Sequence, residues 1–538
     1  MYRYTGSLDE KFITRAWDAY TRYRSDKENL CARVRQNMRM YRAAYAEMYD
    51  EGTNRTMPKT AYILAAVENK YADYIDNFPA PNFLAREADD EQTASMLSKI
   101  VPVQLEMSDF KAAYKRCVRQ KLICGTGIYG IFYDRNAEEI RIKSIDFMNV
   151  YSDMSVCDVQ ESEFLFISAA VASDAMREKY PEAAELFADE VTVRGYDGDR
   201  TRYGCCEITD CYYKKKNAVH LIKFCDGNVI WASEDSLPGG IYAHGMYPVV
   251  YDVMYPDADC PFGFGMVDTT KNPQLYIDML DGAILKSAML AASPKWFIAK
   301  NAQINTKDFA DASREIIECA NVGEECIRRI ELAGMNSAVM EHREKKIAEL
   351  KEVAASRDVS TGGAVGGVTA ASAITALQEA GDKQSRAIIS DSFDAYRKVV
   401  KLVVELMRQF YDSDRIFRTV GSSGRDEFVT FTRERLLRAE AECDVLGFPV
   451  GTKYKNAEFD IDIVPQRQNA FRRETNNQTV LALYQNGLFA PDNIDVSLVV
   501  LSAMQFDGKD KIIADLRALG ERQQQMQQAQ QMPEAVSE

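Results

Sequence analysis

The chain has 538 residues, 46% of them hydrophobic and 27% charged, an ordinary globular balance that excludes wholesale disorder. Its length suits about three or four domains whose cores need no disulfides. The formal charge of −15 excludes a protein that coats nucleic acid with a basic surface, but not one that surrounds DNA without gripping it.

Residues 8–124 read mostly as helices: one across 20–49, rich in Arg, Tyr, Met and Ala, and a second opening at Met57-Pro58-Lys59 and running to about Ile75. Asn77-Phe78-Pro79-Ala80-Pro81 reads as its breaker. A helix over 89–105 follows, and Ser108-Asp109 starts another that ends at Gly125.

Residues 128–252 change to a strand-like period. Ile140, Ile142 and Ile145 mark one extended run, and 163–171, 191–193 and 247–251 mark others. Asp226-Gly227 between 219–224 and 229–231 is a strong hairpin signal.

From Gly265 helices return. One covers 268–292, with Pro294 just beyond it. Residues 294–335 read as a small mixed insert: a strand at 295–299, a helix from Thr306 to about Ala320, and a strand at 326–330. A charged helix spans 336–356, with Glu341 four residues before Lys345. Arg357 to Thr369 reads RDVSTGGAVGGVT and joins two strong helices. The second, 370–412, carries Ile389, Phe393, Tyr396, Val400, Val403, Met407 and Phe410 in one stripe, with Gly381 its weak point. Short strands near 416–420, 427–431 and 459–464 precede helices at about 469–485, 496–504 and 509–530, and a Gln-rich tail.

The chemistry-bearing motifs are weak. Gly125-Thr126-Gly127-Ile128-Tyr129-Gly130 fits GxGxxG, but a helix precedes it and a strand follows, the reverse of a dinucleotide site. It reads as a helix cap turning into a strand. Cys205, Cys206, Cys211 and Cys225 lack paired zinc knuckles. The twelve cysteines, scattered from Cys31 to Cys443, read as reduced thiols of an intracellular protein. His220, His244 and His342 are the only histidines and suggest no catalytic set. Gly362 to Gly367 lacks the Gly-Lys-Ser/Thr of a phosphate loop. No enzyme, metal or cofactor is expected. Met1-Tyr2-Arg3-Tyr4-Thr5 opens no secretory leader, and no window of ~18 apolar residues calls for a membrane span.

The order of elements resembles the portal proteins of tailed bacteriophages: a helical start, a β-rich middle, PFGFGMVD at 261–268, a long helix, a small insert, a charged helix, a Gly/Thr/Ser-rich loop, a very long helix and a helical end. Gly125-Thr126-Gly127 leading into Ile131-Phe132-Tyr133-Asp134, the Tyr151-Ser152-Asp153 turn and the run from Gln274 to Asp281 are further echoes. The resemblance implies a helix-rich α+β fold with wing (about 1–265 and 370–465), stem (266–293 and 336–356), clip (294–335), tunnel loop (357–369) and crown (466–538).

It also implies a ring, usually of twelve copies, at one capsid vertex, whose channel passes double-stranded DNA without regard to sequence. Terminase, head-completion or adaptor proteins, and capsid and scaffolding proteins would be its partners; the host cytoplasm and then the virion, its place. The channel would be lined by the tunnel loop, through Arg357, Ser360, Thr361, Gly362, Gly363, Gly366 and Gly367. The clip would pair with neighbouring subunits and dock terminase through Lys295, Trp296, Phe297, Ile327 and Arg328, because exposed edge strands invite pairing. Two other readings stay open: another ring-forming virion adaptor, or an enzyme holding a nucleotide at 125–130.

Overall fold

A computed structural model describes residues 4–44, 59–87, 90–292, 296–298, 327–329, 337–354, 383–412, 414–420, 426–443, 449–456, 459–467 and a few helical positions between 482 and 522. Helices α1 (Glu10–Asp26), α2 (Glu28–Tyr41) and α3 (Tyr62–Asp76) lead to strand β1 (Asn77–Ala85) and helices α4 (Glu91–Met107) and α5 (Phe110–Cys124). Strands β2 (Thr126–Asp134), β3 (Glu139–Ser144), β4 (Val150–Ser152) and β5 (Phe164–Ala172) precede helix α6 (Ser173–Lys179). Then come β6 (Glu190–Val193), β7 (Arg200–Tyr203), β8 (Cys205–Lys215), β9 (Ala218–Cys225) and β10 (Asn228–Ala232), the helical turn α7 (Ser233–Ser236), β11 (Val249–Val253), β12 (Tyr255–Asp257) and β13 (Cys260–Phe264). Helix α8 (Met266–Ala292), strands β14 (Trp296–Ile298) and β15 (Ile327–Arg329), and helices α9 (Ser337–Val353) and α10 (Lys383–Phe410) follow. Three ribbon-forming pairs end the series: β16 (Arg415–Val420) with β17 (Asp426–Phe431), β18 (Leu437–Cys443) with β19 (Pro449–Asn456), and β20 (Phe459–Arg467) with β1. The architecture is α+β.

The chain divides into two compact units. The first holds Met1–Asn29, Tyr71–Phe264 and Arg386–Glu538; the second holds Leu30–Lys70 and Gly265–Ser385.

In the first unit an antiparallel sheet runs in the order β10-β9-β8-β5-β4. Side chains alternate across it, so each face has its own core. On one face Phe164, Phe166, Cys211, Tyr213, Ile222 and Phe224 pack under Ala16, Tyr20 and Tyr23 of α1. On the other Cys206, Ile208, Cys225 and Ile230 pack under Met176, Ala183 and Phe187. The dense cysteines are therefore divided between two opposite cores, Cys211 in the first and Cys206 with Cys225 in the second. The β9–β10 turn has Asp226 and Gly227 both at positive φ, 46° and 80°, as the Asp-Gly pair predicts.

Three expectations change. The helix expected across 20–49 starts earlier, at Glu10 with Asp9 as its cap, and breaks at Lys27 into α1 and α2. Residues 45–50 lie outside the described ones. The proline-rich stretch after α3 is not merely a breaker: it is β1, laddered with β20 from Asn77↔Arg467 to Ala85↔Phe459. Phe83 donates its N–H sideways to Ser98 Oγ at 2.9 Å, away from β20. Pro79 and Pro81 share its parity, so their missing N–H groups lie on the non-pairing edge, where a strand tolerates proline. The ribbon β18–β19 lies between the strands that the sequence predicts at 427–431 and 459–464 and adds to them.

The helix expected at 370–412 is described from Lys383 to Phe410; Gly381 and the 306–320 helix lie outside the described residues, and so do most of the expected C-terminal helices. Its stripe is wider than the seven positions read from periodicity. Ile388, Ala395, Val399, Leu402, Val404 and Leu406 are buried as well, whereas Phe393 and Phe410 are half-buried. Phe410 stacks on Tyr133 with centroids 4.1 Å apart.

In the second unit Arg343 pairs with Asp281, and Lys346 lies 5.7 Å over the Tyr276 ring, so α8 and α9 run antiparallel. Gln274 Nε2 donates to Asp278 at 3.0 Å and to the Thr60 carbonyl at 2.8 Å, tying α8 to the residues before α3.

Candidate functional site

The loop residues Arg357, Ser360, Thr361, Gly362, Gly363, Gly366 and Gly367 lie outside the described residues, as does Lys295. The other four candidate positions come together. β14 and β15 are antiparallel neighbours, with Trp296 opposite Arg329, Phe297 opposite Arg328 and Ile298 opposite Ile327. The two expected strands therefore pair with each other within one chain. Any pairing with another chain would use their outer edges.

The GxGxxG segment is a helix-to-strand turn. Gly125 caps α5 at φ +92°, and β2 starts at the next residue. A Cβ on Gly125 would lie 2.5 Å from the Gly263 carbonyl oxygen, and one on Gly127 would lie 2.5 Å from the Cys117 carbonyl oxygen. These glycines serve close backbone packing, not a phosphate.

Sequence reading missed two buried lysines. Lys121 on α5 donates to Asp252 on β11 at 2.6 Å and to the Ser392 hydroxyl on α10, which in turn reaches Asp252 at 3.1 Å. The lysine and aspartate side chains are 0% and 1% exposed. Burial first, and then the Asp252 charge, holds the Tyr74 and Tyr114 hydroxyls well above the ordinary tyrosine range. Lys27, at the α1–α2 break, donates to the carbonyls of Phe147 at 2.6 Å and Val150 at 2.5 Å. Its ammonium lies 4.1 Å from the Phe147 centroid and 4.2 Å from that of Phe262. Both lysines clamp elements of the first unit together.

His244 gives a pH dependence. Its ring stacks on Tyr242 at 5.4 Å, and Nδ1 accepts the Met246 N–H at 3.1 Å. Burial, reinforced by Lys214, lowers its pKa to about 4. In the unfolded chain the value is ~6.5. Below that pH the unfolded state binds a proton that the native state refuses, so this group removes stability as pH falls from about 6.5 to about 4. A His244→Gln variant is expected to lose less Tm than the parent across that range; equal losses would refute the assignment.

Several large apolar side chains of the second unit are exposed. On α8, Tyr276 and Met279 are each 56% exposed and Met289 is 64% exposed. Met340 of α9 adds to them. No helix among the described residues is long and apolar enough to cross a membrane.

A family model described as Phage P22-like portal protein matches residues 11–538. No curated protein matches the sequence. The match takes in both compact units, the α5–Gly125–β2 turn, the paired β14 and β15 and the long α10. This chain belongs to the phage P22-like portal protein family, the head-to-tail connectors of phage virions.

Proposed function

We propose that copies of this chain form a ring, of twelve subunits, at one capsid vertex, and that double-stranded DNA passes through its channel during packaging and ejection. Family membership across residues 11–538 carries the reading. The exposed Tyr276 and Met279, neighbours on α8, support it, because adjacent apolar side chains on a helix surface suit contact with another chain. The net charge of −15 supports it too: an acidic wall favours sliding over sticking, since tight phosphate binding needs clustered Lys and Arg.

In this reading 1–265 and 370–465 form the wing, 266–293 and 336–356 the stem, 294–335 the clip, 357–369 the tunnel loop and 466–538 the crown. The clip docks terminase and later the head-completion proteins, with the outer edges of β14 and β15 facing neighbouring chains. Negative-stain images of the purified protein test the assembly. Turbine-shaped rings are expected; a protein that stays monomeric at every concentration would end the proposal.

DNA passage has its own test. Replacing Gly362, Gly363, Gly366 and Gly367 together by Val enlarges and stiffens a stretch otherwise built of small residues. Rings are expected to form, and packaging or retention of DNA to fail. Normal genome retention by that variant would make 357–369 a connector only.

A further inference from the structure

We propose that the exposed face of α5 holds the phosphate backbone of double-stranded DNA, through Lys111, Lys115 and Arg116, without regard to base sequence. This rests on the DNA reading above and deepens it with a contact outside 357–369.

The helix is divided cleanly. Ala113, Tyr114, Cys117, Val118, Lys121 and Leu122 are buried in the first unit. Lys111, Ala112, Lys115, Arg116 and Arg119 are exposed. In a chain with 81 acidic and 66 basic residues, these five cations of α5, Lys121 included, share the helix with no acidic residue. Lys121 is spent on Asp252. Arg119 stacks over the Tyr71 ring at 4.1 Å, and the Lys111 ammonium lies 6.0 Å from the Phe78 centroid. Lys111, Lys115 and Arg116 form no ion pair among the described residues.

Such a face works against its own helix. Lys111 lies in the first turn, where the helix dipole is positive, and no acid there offsets it. Asp109 precedes the helix but makes no side-chain cap to it. Lys115 follows Lys111 by four residues, and Arg119 follows Lys115 by four, the spacing at which like charges repel. An anion from outside relieves both penalties.

The arrangement favours DNA as that anion. The row 111–115–119 advances ~6 Å at each step and covers about 12 Å. Over that length a duplex presents about seven phosphates at even intervals. The exposed position between the cations of the first two turns is Ala112, so no bulky side chain there holds a rod away. Lysine and arginine on an exposed helix face meet phosphate oxygens and read no base edge. In the ring reading every copy works beside a duplex. One such face on a chain of net charge −15 guides DNA without coating itself in it.

The test uses the full-length protein and the anisotropy of a labelled duplex of about 30 base pairs, titrated from about 50 to about 200 mM salt. Lys111→Gln with Lys115→Gln and Arg116→Gln is expected to weaken binding about tenfold or more at the lowest salt. It should also make the log–log salt dependence shallower by about three, close to one for each cation removed. Lys11→Gln with Lys179→Gln and Lys216→Gln changes the net charge equally, at exposed lysines elsewhere, and should keep the parental salt dependence. A second duplex of unrelated sequence should bind the parent equally well. Both variants should keep the parental Tm; if the first proves unfolded, Lys115→Gln alone, with a slope change of about one, decides. No binding by the parent, parental binding by the α5 variant, or an equal loss in the control variant overturns the proposal. Intact DNA binding with lost ring assembly in the α5 variant overturns it too, since the face then meets another chain. Rings in negative stain, judged separately, show whether the ring reading survives any of these failures.

Discussion

A Val403→Asp variant is expected to yield no folded chain. Val403 is fully buried at the middle of α10, between Val400 and Met407 on the same stripe and beside Val399 and Leu406. Lys121 reaches that stripe only at Ser392, and it is already paired with Asp252. The new aspartate must either stay charged in an apolar core or take up a proton, and either route costs several kcal/mol. Whole domains are stable by only ~5–15 kcal/mol. The valine's own contribution, ~1.5–3 kcal/mol, is lost as well. Soluble yield and far-UV circular dichroism check it. A soluble variant with the parental melt would mean that the α10 stripe is not a core.

Lys121→Met should have the next largest effect, about 3–5 kcal/mol, for a different reason. Here the charge left behind does the damage. Asp252 is 1% exposed, and without Lys121 it keeps only the Ser392 hydroxyl. Removing the second charge as well, in Lys121→Met with Asp252→Leu, should recover most of the loss, since apolar replacement of a whole buried pair is often neutral. The urea midpoints of the three proteins give the answer. If the single variant unfolds at the parental midpoint, the pair contributes nothing. If the double is no better than the single, the loss comes from packing and not from an orphaned charge.

These two sites also mark the limit of what could be read in advance. The α10 stripe was legible because a periodicity of 3.6 survives in any long helix that buries one face. The Asp226-Gly227 hairpin and the Gly125 cap were legible because few residues adopt positive φ. The lysine triad was not. Its signal is faint but present: Lys121 falls in phase with Phe110, Tyr114, Cys117 and Val118, Ser392 in phase with Ile389 and Tyr396, and Asp252 inside an apolar run, Val249 to Val253. A polar residue at an apolar phase is ambiguous alone. Three of them become a site only when the fold brings α5, β11 and α10 together. The β1–β20 ladder escaped for a similar reason. Its partners are almost 400 residues apart, and its prolines argue locally against a strand.

Those prolines have one more consequence. A protein made to associate with copies of itself must do so through chosen surfaces and no others. An open strand edge is the least selective surface a protein has, since any extended chain can hydrogen-bond to it. Pro79 and Pro81 leave the non-pairing edge of β1 without two of its donors, and Ser98 of α4 takes the Phe83 N–H, so a third strand could not complete a ladder there. The ribbon therefore ends at two strands. Edge-to-edge stacking of copies, the open-ended kind that builds fibres, is closed off at this ribbon before it begins.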